Sequence, residues 1–133
     1  MFDRFGYTLV RYGIGIVFLL LGIDQFVHPS TWIGYLPMHG MMGFLTEQGS
    51  ETYRFILINS LFDMLLGMLL LMGIFTRIVA SLAVIHLGGI IIISGYSDIV
   101  IRDFGLLLAA LAIALRGADE WCLETRWKKH SNS

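Results

Sequence analysis

The chain has 133 residues, a formal net charge of −1, 56% hydrophobic residues and only 14% charged ones, against about 25% charged in an ordinary soluble domain. A soluble globule of this size exposes much of its surface and needs more charge to cover it. The near-neutral balance offers no basic field for nucleic acid, and the lone Cys122 excludes an internal disulfide or a thiolate cluster within one chain.

The length suits one domain, and its pattern is all-α. The first apolar run spans residues 7–27 and stops at His28-Pro29, since proline cannot continue the helical ladder and turns the preceding residue away from helix. The run lacks a small-residue cleavage site and reads as a retained span rather than a cleaved leader. Residues 29–52 are too apolar for an ordinary loop, with Trp32, Ile33, Tyr35, Leu36, Met38, Met41, Met42, Phe44 and Leu45. They read as an interfacial lid over one end of a bundle, at the depth that suits Trp and Tyr.

A long apolar stretch follows, broken by Gly73-Ile74-Phe75-Thr76-Arg77. Its length is about twice what a hydrocarbon core of roughly 30 Å needs at 1.5 Å per residue, so it predicts two spans, 53–72 and 76–94, joined by a tight turn. A fourth span over 99–115 ends at Arg116-Gly117. The tail, 118–133, reads as an interfacial anchor with Trp121, Trp127, Lys128 and Lys129, followed by a frayed end. The expectation is an integral membrane four-helix bundle.

With four spans, Arg4, Arg11, Arg77, Arg116, Arg126, Lys128 and Lys129 lie on one side and only Arg54 and Arg102 on the other. The positive-inside rule then places both termini in the cytoplasm, and the expected location is the plasma membrane, crossed several times. Small residues predict close helix packing: Gly13, Gly15, Gly22, Gly67, Ala80, Ala83, Gly88 and Gly89, with Gly105/Ala109 and Ala110/Ala114 at small-xxx-small spacing.

Ionisable groups within spans are costly and turn inward. Asp24 and His28, Asn59 and Asp63, and Asp98 and Arg102 are i,i+4 pairs, with Gln25 and Asp103 adjoining. Asp63 and His86 each lie about ten residues, roughly 15 Å, into their spans, which brings a carboxylate and an imidazole together near mid-membrane. These residues with Trp32 suggest a polar cavity under the lid; the half of the bundle nearer the termini reads as almost purely apolar. The plainer alternative is that they pair only to hold helix register, which for Arg102 favours Asp98 or Asp24 as partner. The four histidines, His28, His39, His86 and His130, lack metal-ligand spacing, and His28 and His86 differ in depth, which argues against haem.

The stretch Arg11-Tyr-Gly-Ile-Gly-Ile-Val-Phe-Leu-Leu-Leu-Gly-Ile-Asp-Gln-Phe resembles the opening of the DoxX-like family. Asp63-Met-Leu-Leu-Gly-Met-Leu-Leu-Leu-Met-Gly-Ile-Phe-Thr-Arg resembles the family's acidic residue, two glycines and following basic residue. Ile101-Arg-Asp-Phe-Gly, with the Ala/Leu-rich run after it, resembles the start and continuation of the family's fourth span. The likeness covers residues 7–116. It implies a four-helix membrane bundle; relatives include a small subunit of a thiosulfate:quinone oxidoreductase, partners of redox-defence enzymes, and more distant cargo receptors and assembly chaperones. Where many relatives carry a lysine after the first-span glycine, this chain has Asp24-Gln25, so that lysine's role does not carry over.

The function expected first is an accessory membrane subunit of a quinone-linked redox system, not catalytic alone. The chain holds no evident redox centre, so quinone is the cofactor in view and a partner redox protein must supply electrons. Asp24, Gln25, His28, Trp32, Asn59, Asp63, His86, Arg102 and Asp103 are the candidate cavity residues. The alternatives are a non-catalytic assembly factor, or a small carrier acting as a homo-oligomer, because four helices leave little room for alternating access.

Overall fold

The computed structural model describes residues 2–35 and 49–131. These form helices α1 (Phe2–Val27), α2 (Pro29–Ile33), α3 (Gly49–Met72), α4 (Thr76–Ser94), α5 (Asp98–Arg116) and α6 (Leu123–Ser131), with no strand among them. The lid residues from Leu36 onward, including His39 and the Met38, Met41 and Met42 cluster, lie outside the described residues up to Gln48.

α1, α3 and α4 are long and apolar enough to cross a membrane. α5 matches α4 at 19 residues but carries Asp98, Arg102, Asp103 and Arg116, so composition alone does not mark it as a span. α4 has the bounds expected from sequence, whereas α1 and α3 begin earlier than Tyr7 and Tyr53, because helix continues past the point where apolarity ends. α1 stops where expected, and Pro29 opens α2 at a position where its missing N–H is not needed.

The long helices form two antiparallel pairs, α1 with α3 and α4 with α5. Glycine brings the first pair to backbone contact. A Cβ on Gly67 would lie 2.6 Å from the Leu19 nitrogen and 2.7 Å from the Gly15 oxygen, and one on Gly22 would lie 2.7 Å from the Ser60 oxygen. The sequence expectation holds there and for the buried Ala80, Ala83 and Ala110. It fails for Gly13, Gly89 and Gly105, where a Cβ would meet nothing within 4 Å, and Gly88 faces only Leu107, at 3.7 Å. Spacing identifies small residues on a common face without saying whether another helix covers it.

The two pairs meet in a core of Tyr7, Ile14 and Phe18 from α1, Leu66 and Leu70 from α3, Val79, Ala80, Ala83 and Leu87 from α4, and Ala110 and Ile113 from α5. Most of these lie in the half of the bundle that carries the termini and the α3–α4 turn. Toward the lid end both pairs line a cavity. The outside is covered with exposed aliphatic side chains, among them Ile16, Leu20, Ile58, Leu65, Ile78, Ile92, Leu108 and Leu115, a larger apolar surface than soluble monomers present.

Candidate functional site

A cavity of about 390 Å³ opens between the helix pairs at the lid end, with walls largely of Phe, Leu and Ile side chains. Of the candidate residues, Gln25, Trp32, Asn59, Asp63, His86, Arg102 and Asp103 line it. Asp24 and His28 do not. They pair with each other across 3.1 Å on the exposed side of α1, and Asp24 also accepts the Trp32 indole N–H at 2.8 Å. Asp24 is therefore a positioning residue for an aromatic wall of the cavity.

Asp63 stands at the centre. Its Oδ2 accepts from Gln25 Nε2 at 2.9 Å and from Asn59 Nδ2 at 3.2 Å, and Asn59 also donates to Gln25 Oε1 at 2.8 Å. Its Oδ1 lies 2.9 Å from His86 Nε2, the encounter anticipated from their depths. The two atoms are close, yet their angles do not make a hydrogen bond, and neither atom has another partner. His86 is braced by Phe62, edge to face, with ring centroids 5.0 Å apart. Asp63 Oδ1 and His86 Nε2 are therefore buried against each other beside the cavity, close enough for an ion pair but at angles that fall short of a hydrogen bond, and buried polar groups are costly to leave without one.

Arg102 pairs with neither Asp98 nor Asp24. Its Nε and Nη2 donate to Asp103 Oδ1 at 2.9 and 2.8 Å. The buried Asp103 requires a cation, whereas Asp98 is exposed and needs none, and Asp24 is already bonded.

The bundle half nearer the termini is not purely apolar, contrary to the reading from sequence. Arg11 is fully buried. It donates to Asp119 through Nε, at 3.0 Å, and to the Leu70 and Leu71 carbonyls through Nη1, the latter at 3.1 Å. Those carbonyls are orphans of the α3 C-terminus, which ends at Gly73 (φ +67°) with Ile74 N–H bonded to the Leu69 oxygen at 3.2 Å. Asp119 also accepts from Thr8 Oγ1 at 3.1 Å and from Cys122 Sγ at 3.2 Å.

The first part of the tail is docked on the bundle. Cys122 is buried against Gly73, where a Cβ would come within 2.7 Å of it. Glu124 accepts the Thr76 N–H at 3.1 Å and so caps α4. Burial alone would raise the Asp119 carboxyl, but the hydrogen bonds from Arg11, Cys122 and Thr8, with the Arg11 charge, hold it below its ordinary value. Burial pushes the Cys122 thiol up.

Sequence reading missed this cluster because Arg11 counts toward the positive-inside pattern. A signal was available: Tyr7, Arg11, Ile14, Phe18 and Gln25 recur at helical spacing and are all buried.

Comparison with protein-family models, with curated proteins and with solved structures gave no match to this chain.

Proposed function

We propose that this chain is a DoxX-like integral membrane protein of four spans, with both termini on the cytoplasmic face of the plasma membrane. In this reading it serves as an accessory subunit of a quinone-linked redox system. Insertion is supported by the aliphatic outer surface and by the three apolar helices. For the fourth span, the charges of Arg102 and Asp103 compensate each other at the cavity.

The observation that carries the functional reading is the Asp63–His86 pair, 2.9 Å apart without a hydrogen bond, in the wall of an apolar cavity large enough for a ring. A quinone head group offers carbonyl oxygens to a protonated imidazole or carboxyl, and a quinol returns hydroxyl donors to the same atoms. Because quinone reduction adds protons with electrons, Asp63 and His86 would exchange the protons in this reading while a partner redox protein supplies the electrons. Protein purified from membranes in mild detergent should then retain extractable quinone, and Asp63→Asn should retain much less. Equal retention by the two proteins would count against the reading.

A non-catalytic assembly factor is the second reading, favoured by Trp121 and Trp127, which stand exposed on the docked tail. It predicts that Trp121→Ala with Trp127→Ala releases a copurifying protein. Deleting the tail is the wrong test, since that removes the Arg11 partner as well.

A further inference from the structure

The cavity also reaches the side of the bundle. Ile85 lines it and is 71% exposed, so the wall at that point belongs to the apolar outer surface as well. α3 and α4 leave the Gly73 turn together and touch through Phe62 and His86. Beyond that contact both line the cavity, with Phe55 and Asn59 from α3 and Gly89 and Ile93 from α4.

Gly89 sits one turn beyond Ile85, in a helix interior, where glycine is destabilising relative to alanine. No neighbour demands it: a Cβ there would meet nothing within 4 Å, unlike Gly67, which seats another helix. Gly89 lines the cavity with open space where a side chain would stand. The same cavity is lined by Asp63 and His86, whose buried Oδ1 and Nε2 face each other at 2.9 Å without a hydrogen bond.

We propose that the gap between α3 and α4, with Gly89 at its lip, is the doorway by which the ligand enters the cavity from the hydrocarbon of the bilayer. The ligand class is an oxygen-bearing ring on a long apolar tail, the ring reaching Asp63 and His86 while the tail crosses Gly89 into lipid. This rests on the quinone reading of the cavity and adds the route and the need for a tail.

The test uses full-length protein in phosphatidylcholine liposomes, with Trp121 and Trp127 replaced by Phe so that Trp32, on the cavity wall, is the remaining indole. Its fluorescence is titrated with a decyl-tailed benzoquinone and with the tail-less ring. Gly89→Phe should weaken saturable quenching by the tailed quinone about tenfold or more and leave the tail-less ring within about twofold. Gly89→Leu serves if the Phe variant fails to fold. Unchanged binding of the tailed quinone in the bulky variant, or equal loss of both quinones, would overturn the doorway alone. Absence of saturable quenching by either quinone in the protein with native Gly89 would overturn the quinone reading, and the doorway with it.

Discussion

Both ends of the bundle hold a buried carboxylate facing a basic side chain, and they differ in how completely those groups are bonded. At the terminal end, Asp119 and Arg11 bond to each other, to Thr8, to Cys122 and to the α3 carbonyls, and neither leaves a buried atom without a partner. At the lid end, Asp63 is bonded through one oxygen only, and its other oxygen and His86 Nε2 approach without a hydrogen bond. A fully bonded cluster fixes helices in place. The Asp63–His86 pair in the cavity wall is less completely bonded, and under the proposed function the contrast yields predictions that separate stability from binding.

The largest effect is expected from Arg11→Ala, which strands Asp119 in a buried site. Removing one member of a buried pair costs about 3–5 kcal/mol, read as a loss of stability in denaturant titration of the detergent-solubilised protein. Little or no loss would mean that the terminal end is not the clasp described. Gly67→Ala should follow, because its Cβ has nowhere to go without separating α1 from α3, and overpacking typically costs about 1–3 kcal/mol.

Asp63→Asn should move stability by only about 1 kcal/mol, since the amide oxygen can still accept from Gln25 and Asn59. Quinone binding should suffer instead. The pH response sharpens the same contrast. Asp119 is held below its ordinary value when folded, so its stabilising contribution is complete above the ordinary carboxylate range and is lost as pH falls through the lowered folded value. Acid titration of wild type against Asp119→Asn should therefore show the difference disappearing only at low pH. The smallest expected effect is at Cys122, whose buried thiol is pushed up. It should label slowly with maleimide near neutral pH, and faster in Arg11→Ala as the clasp opens.

Much of the fold was legible because helices announce themselves through apolar length and through breakers such as His28-Pro29 and Gly73. Depth counting along the second and third spans was enough to bring Asp63 to His86. The Arg11–Asp119 pair was not legible: its members are 108 residues apart, and an arginine near a span end satisfies a topology rule as well as it satisfies a buried carboxylate. Nor could spacing choose among carboxylates for Arg102, since that choice turned on which was buried. For the glycines, sequence gave the faces, but only packing distinguished Gly67, which seats a helix, from Gly89, which keeps a space clear.

Under the proposed function the lid end binds and the terminal end holds. Native mass spectrometry with added quinone, alongside thermal unfolding, tests it by comparing Asp63→Asn with Asp119→Asn. The account predicts that Asp63→Asn loses the quinone adduct at nearly unchanged stability, whereas Asp119→Asn loses stability while its folded fraction keeps the adduct. The opposite pattern, or equal quinone retention by wild type and Asp63→Asn, would contradict it.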